Sequence, residues 1–335
     1  MDQLQLLSTS PQHDHPVGGS RKRKARKVPL VGRFLWSVAN SVALGGLYPG
    51  PLGSDWLLRS EVDMPMHGLS AAWTGSTIAH ISDLHCSPIV GTDYLLNCVE
   101  AVNQLRPDFV CITGDLITGH NGYARKIARV LRALRPRVAT LAVLGNHDYG
   151  VMHPCGAGEI RGQADYLTDQ MQRAGVHVLR NEAKVFTAED GSSIQFVGTD
   201  DCWSSCWDPV RAFARATPHL PTVTLCHNPD GGKQLYELGA EWVLAGHTHG
   251  KVTADSAMAD RLWPMTHKHL VCGEYHLGAH CHMYVNRGLA FARRSKRRDR
   301  PEISLLSLRP TGSAVTRNSP RDREKQSTGN RLLPI

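Results

Sequence analysis

Thr77-Ile78-Ala79-His80-Ile81-Ser82-Asp83-Leu84-His85 is the stretch that decides how this chain is read. A short, largely apolar run with little polar alternation leads directly into a carboxylate and an imidazole. Such a run suits a strand buried on both faces. Its end, where the chain leaves the sheet, is where an open α/β sheet builds its site. The same pattern recurs four times. Residues 108–113 lead into Gly114-Asp115, and residues 139–144 into Gly145-Asn146-His147-Asp148. Residues 222–226 lead into His227-Asn228, and residues 241–245 into Gly246-His247-Thr248-His249.

Helix-period segments lie between the first strands. Tyr94 to Leu105 carries apolar residues at positions 95, 98, 99, 102 and 105. Tyr123 to Leu134 carries them at 127, 130, 131 and 134. Strand, polar turn, helix and strand in alternation is the βαβ rhythm of a mainly parallel sheet in an α/β fold. Glycine before Asp115, Asn146 and His247 fits sharp turns that let the backbone approach a ligand.

The residues at the strand ends are metal ligands by type. Asp83 and His85 are two apart and would share one face of an extended strand. His247 and His249 have the same spacing but lie in a glycine-flanked loop, where they could diverge toward different ions. Asp115 is a lone carboxylate able to bridge two cations, Asn146 offers a neutral carbonyl oxygen, and His227 adds an imidazole. Two carboxylates, one amide and four imidazoles suit two divalent ions with positions left for water and substrate. Manganese, iron and zinc all accept this donor set.

The ordered motifs Asp-x-His, Gly-Asp, Gly-Asn-His-Asp, His and Gly-His-x-His resemble those of the calcineurin-like metallophosphoesterases. The longer context, residues 78–85 and later 283–288 with 301–303, is similar to a bacterial branch of the YkuE/YaeI type. That branch contains membrane-associated phosphohydrolases, some acting on UDP-2,3-diacylglucosamine. The resemblance covers roughly residues 62–309 and implies a four-layer α/β/β/α sandwich of two mixed β-sheets flanked by helices. It implies that Asp83, His85 and His249 hold one ion, that Asn146, His227 and His247 hold the other, and that Asp115 bridges. It places His147 beside the substrate phosphate as a general acid or charge stabiliser. Asp148 is then either the partner that sets the His147 tautomer or a helix-capping carboxylate. An arginine near position 293 approaches the substrate in this branch, which makes Arg293 or Arg294 candidates for binding an anionic group; a solvated loop is the other reading. The branch usually continues Gly-His-Thr-His into Gly-Gly-Gln, whereas this chain reads Gly250-Lys251-Val252-Thr253. The ligands are untouched by that departure, and the substrate pocket is not.

The nine cysteines are scattered singly and form no CxxC pair, the pattern of reduced thiols rather than a disulfide framework. Residues 267–282 are rich in histidine and cysteine. Their spacing matches no standard zinc module, and the reading preferred for His276 or His282 is a place lining the main cleft, with an extra metal site as the alternative.

The formal net charge is +8. Residues 21–27 contribute six positive charges and residues 293–300 a further six against one negative, so the remainder is slightly acidic. A generally basic nucleic-acid-binding surface is not expected. The expected organisation is a polar tail over residues 1–27, an apolar tryptophan-bearing segment over 28–57, the catalytic domain over 62–309 and a polar tail over 310–335. A basic run beside a short apolar segment reads as an anchor for an anionic membrane surface through residues 21–57, on the cytoplasmic face. The alternatives are a single span over residues 28–48 and packing against the domain. Two functional classes follow: a metal-dependent phosphoesterase acting on a phosphoester substrate, on nucleotides or on a lipid-linked phosphate, and a non-catalytic metal-binding scaffold of the same fold.

Overall fold

Twelve strands form two six-stranded sheets in the computed structural model, which describes residues 57–151, 158–250, 265–290 and 300–312. The first sheet has the order β1(Leu58–Met66), β12(Glu302–Pro310), β2(Thr77–Ile81), β3(Phe109–Thr113), β4(Ala139–Val143) and β5(Val176–Val178). β2 to β5 run parallel, and β12 runs antiparallel to β2. The second sheet has the order β10(Gly273–Gly278), β11(Cys281–Val285), β9(Trp242–Ala245), β8(Thr222–Leu225), β7(Ser193–Gly198) and β6(Glu182–Thr187). β7, β8, β9 and β11 are parallel, with antiparallel strands at both edges.

Every residue of β3, β4 and β9 is buried, as the unalternating sequence predicts. Both faces of each sheet are covered. The face of the first sheet carrying Val110, Ile112 and Ala142 packs against helices α1(Thr92–Gln104), α2(Ala124–Leu131) and α4(Gln163–Arg173). Phe109, Leu141, Phe196, Leu225, Trp242 and Leu244 fill the layer between the sheets. Val243, Ala245 and Met283 face Leu235 of α6(Gly232–Glu237) on the far side, and α5(Pro209–Ala214) borders the same sheet at β6 and β7. The architecture is therefore the expected α/β/β/α sandwich of two mixed sheets.

The expected helices are present as α1 and α2, the latter ending at Leu131 rather than Leu134. The remaining helix, α3(Asn146–Tyr149), is a single turn after β4. β1 lacks the β-branched richness of the other strands and lies on the open edge of its sheet, where Arg59, Glu61 and Asp63 are exposed. It pairs in parallel with β12 from Leu58 opposite Glu302 to Met66 opposite Pro310. Because β12 opposes β2, Leu58 and Glu302 lie at the edge where β2 delivers Asp83. Among the described residues, no helix is long and apolar enough to cross a membrane. The membrane-associating reading of residues 21–57 and the substrate contacts assigned to Arg293 and Arg294 lie outside the described residues, Leu57 apart.

Candidate metal centre

The C-terminal ends of β2, β3 and β4 in one sheet and of β8 and β9 in the other meet at one edge of the sandwich, and the polar turns after them converge there. The chain reaches this point by a device the alternation argument did not foresee. β2 ends at Ile81, so Asp83 and His85 do not share a strand face. Instead Asp83, His85, Asp115, His247 and His249 all adopt left-handed backbone, with φ of 51°, 45°, 52°, 71° and 54°. Non-glycine residues rarely enter that region, and each instance costs of order 1–3 kcal/mol. The surrounding turns hold them there. Asp83 N–H donates to Gly114 O at 3.0 Å and His85 N–H to Asp115 O at 2.8 Å. His247 N–H donates to Asp83 Oδ2 at 3.0 Å.

Four glycines let these turns close. A Cβ at Gly114 would stand 2.5 Å from His227 Nδ1, and one at Gly145 2.3 Å from Asp115 Oδ1. One at Gly246 would stand 1.8 Å from Ser82 Oγ, and one at Gly288 2.7 Å from Asp83 Cβ. Gly288, on the loop after β11, is a site residue that motif spacing did not single out.

Two ligand groups result. Asp83, His85 and His249 form one: His249 Nε2 lies 3.2 Å from Asp83 Oδ1 and 3.1 Å from His85 Nε2. Asp115, His227 and His247 form the other: His227 Nε2 lies 3.3 Å from Asp115 Oδ2 and 3.2 Å from His247 Nδ1. The two histidines of Gly-His-Thr-His thus part, one to each group. Asp115 stands between the groups, its Oδ2 also 3.3 Å from His85 Nε2. All six side chains are buried.

The donors are oriented from behind. His85 Nδ1 lies 2.7 Å from Thr118 Oγ1, and His227 Nδ1 donates to Thr113 O at 2.6 Å, so each ring turns Nε2 inward. Asn146 Nδ2 donates to Val151 O at 2.7 Å, while Asn146 Oδ1 is buried with no hydrogen-bond partner among the described residues. A buried carbonyl oxygen in that position costs about 1–3 kcal/mol unless something satisfies it. Imidazole nitrogens converging on one another beside carboxylates fit divalent cations in both groups.

Charge in the centre is unevenly shared. Burial works to raise the pKa of Asp115, but His227, His147 and His85 outweigh it and hold the carboxylate well below its usual range. Burial raises Asp83 to about 7, against the pull of His227. His227 is held well above its usual value because Asp115, Asp83 and Asp201 overcome the burial penalty.

His147 stands apart from both groups, its side chain 12 % exposed and its Nε2 3.9 Å from Asp115 Oδ2. Its ring meets His85 edge-on at 4.8 Å. Its backbone N–H donates to Asp115 Oδ1 at 2.9 Å, which ties the residue to the centre without using its ring. Burial lowers its pKa, with Asp115 partly opposing.

Asp148 does not set the His147 tautomer. Its Oδ2 accepts from Gly145 N–H at 2.9 Å and Leu116 N–H at 3.2 Å, and its Oδ1 from Ile117 N–H at 3.0 Å. The carboxylate caps the single-turn helix and braces the loop after Asp115, while His147 Nδ1 finds no partner among the described residues. Its position, three residues after Gly145, is that of a capping residue. Trp203, whose ring meets His247 edge-on at 4.7 Å, is a further neighbour that no sequence motif marked.

His276 and His282 do not line this centre. They pair across the β10–β11 hairpin, where His282 also pairs with Trp242, the first residue of β9, at the end of the sheet opposite the turns. The eight described cysteines are free thiols, Cys202 and Cys206 included, and five of them are buried.

The ordered ligand turns on paired sheets are matched by a family comparison, in which residues 76–251 correspond to the calcineurin-like phosphoesterases. The chain belongs to this family. A calcineurin-like phosphoesterase is a metal-dependent hydrolytic enzyme, and both ligand groups lie within or at the border of the matched span. Relatives include the uncharacterized metallophosphoesterase YkuE of Bacillus subtilis, 27 % identical, with 87 % of this chain and 99 % of that protein covered. Phosphodiesterase YaeI of Escherichia coli is 27 % identical over 69 % of this phosphoesterase and 81 % of its own length. The UDP-2,3-diacylglucosamine pyrophosphatase LpxG of Chlamydia muridarum is 24 % identical over 81 % of this chain and 95 % of its own.

Proposed function

We propose that this phosphoesterase works with two divalent cations and cleaves a phosphodiester or pyrophosphate bond in a membrane-related substrate such as UDP-2,3-diacylglucosamine. The observation that carries the two-ion reading is the place of Asp115 Oδ2, 3.3 Å from an imidazole of each ligand group. In it Asp83, His85 and His249 hold one cation and Asn146, His227 and His247 the other, with Asp115 shared. The buried, unpartnered Oδ1 of Asn146 supports its inclusion. Manganese, iron and zinc all suit the donor set. When bound, such a pair of cations supplies charge stabilisation to phosphoryl oxygens and activates water near neutral pH.

The chain's own contribution is orientation and one proton. Thr118 and the Thr113 carbonyl fix two of the rings, so the ligands need little rearrangement. His147, beside the centre and partly exposed, is placed to protonate the departing oxygen or to stabilise its charge.

The substrate class rests on the names of relatives, a phosphodiesterase and a UDP-2,3-diacylglucosamine pyrophosphatase. The basic run of residues 21–27 and the apolar residues after it support a membrane-surface location. The decisive experiment compares hydrolysis of UDP-2,3-diacylglucosamine, a nucleotide phosphodiester and bis(p-nitrophenyl) phosphate by manganese-loaded protein. Preference for the lipid-linked pyrophosphate is expected. Turnover of the generic diester alone would remove the substrate reading, and no turnover above His147→Ala on any of the three would remove the catalytic one.

A further inference from the structure

The hairpin that turns out to be remote from the metal centre carries a second constellation. Glu274 and His276 are two residues apart on β10 and therefore share a face. His276 is directly opposite His282 on β11, which brings that residue onto the same face. One donor atom from each of the three lies within 4.8 Å of the others. Glu274 Oε1 is already 3.0 Å from His282 Nδ1, and the rings of His276 and His282 are 4.4 Å apart.

His282 is held from beneath. Its ring stacks on Trp242 at 4.6 Å and 12°. Trp242 is itself fully buried and anchored by its indole N–H, which donates to Pro65 O at 2.8 Å. A register shift in the ladder falls between His276 and Gly278, just past the cluster, before pairing resumes at Gly278 opposite Cys281. Shifts of this kind often re-aim side chains at the edge of a sheet. From Trp242 to His247 is five residues of chain, roughly 15 Å in extended form, so this cluster shares no ligand with the catalytic centre.

We propose that Glu274, His276 and His282 form a separate binding site for a divalent cation of the zinc class. Two imidazoles and a carboxylate are a sufficient protein ligand set for zinc. With zinc bonds of about 2.0–2.2 Å, donors in a tetrahedral site stand about 3.3 Å apart. Glu274 and His282 are there already, and His276 joins them by side-chain rotation in a half-exposed setting. The cation takes the place of the proton shared between Glu274 and His282, and water fills the remaining position. It would cross-link β10, an edge strand of the second sheet, to its neighbour β11. Those strands in turn hold the loop before β10, where Val271 O accepts from the hydroxyl of Thr248, between the two histidines of the catalytic loop. The amides of Val271 and Cys272 both donate to the Tyr275 hydroxyl, so the link from hairpin to loop is continuous.

The test counts zinc by difference, which makes it independent of how many ions the catalytic centre holds. Untagged full-length protein is equilibrated with zinc and its bound metal measured by mass spectrometry, beside Glu274→Gln/His276→Gln and His282→Phe. The phenylalanine keeps an aromatic ring on Trp242 while removing both nitrogens. Each variant is expected to bind one zinc fewer than the parent and to hydrolyse bis(p-nitrophenyl) phosphate as fast at saturating manganese. Equal zinc content in the parent and the double variant overturns the site. Near-unchanged circular dichroism of at least one variant secures the comparison.

Discussion

Nδ1 of His227 donates to the carbonyl oxygen of Thr113 at 2.6 Å, a contact that joins β8's turn to the end of β3 in the other sheet. A carbonyl only accepts, so that nitrogen carries a proton and Nε2 is the one left to bind a cation. In metal-loaded protein, nitrogen-detected NMR of His227 should show a protonated Nδ1 and a metal-bound Nε2. A protonated Nε2 in the loaded state would remove His227 from the ligand set.

His147 separates chemistry from metal binding. Its side chain is in neither of the two groups described above, although it forms a further donor set with His85 and Asp115, within 4.8 Å of one another, and its amide is tied to Asp115. His147→Ala is expected to keep the parent's metal content and to lower kcat about 10²–10⁴-fold, the usual contribution of a general acid. Loss of a bound ion in parallel with activity would make it a ligand instead.

Asp115 should behave differently. Asp115→Asn keeps an acceptor for the His147 amide but removes the negative charge that faces His85 and His227. Metal affinity is expected to fall at both positions and kcat/KM by about 10²-fold or more, several kcal/mol of charge stabilisation being lost. Isothermal titration with manganese checks this, and loss confined to one of two binding steps would contradict a shared ligand.

Gly288 tests the packing behind Asp83. It has φ of 76°, and an added Cβ would meet Asp83 Cβ at 2.7 Å. Gly288→Ala is expected to cost about 1–3 kcal/mol in denaturant unfolding and to weaken metal binding through a displaced Asp83. A variant as stable as the parent, with the same metal affinity, would show that the loop yields at no cost.

His80 gives a pH dependence that does not pass through the ligands. It is fully buried, its Nε2 is 2.8 Å from Thr113 Oγ1, and burial lowers its pKa to about 3. The unfolded chain binds this proton near pH 6.5 and the folded chain does not until about pH 3. The associated stability is therefore present above pH 6.5 and is lost as the pH falls toward 3. In chelator, His80→Gln should flatten that limb of the stability profile, measured by urea midpoints; an unchanged slope would show that His80 takes up its proton at the same pH in the folded and unfolded states.

The strands that carry the site were legible because they are buried on both faces, and such strands have no polar alternation to confuse the reading. The ligand types were legible because carboxylates and imidazoles are unusual at the ends of apolar runs. Backbone handedness was not: Asp and His enter the left-handed region more often than other non-glycine residues, yet too rarely for residue type to mark five of them. The role of Asp148 was ambiguous because a carboxylate beside His147 can serve the ring or the backbone, and only the fold brings three amides to it. The hairpin histidines were misplaced because strand pairing, not spacing, decides which end of a sheet a residue occupies.

The parallel pairing of the first and last strands fixes where Leu57 lies relative to the catalytic turns. Leu57 accepts from Arg300 through its carbonyl, and Leu58 N–H donates to Pro301 O at 2.8 Å, at the rim where the catalytic turns emerge. Leu57 therefore stands at the business end of the molecule and not at its back. If the membrane contact proposed above is made through residues 21–57, a link at this rim favours a headgroup phosphate met by lateral diffusion over one extracted from the lipid.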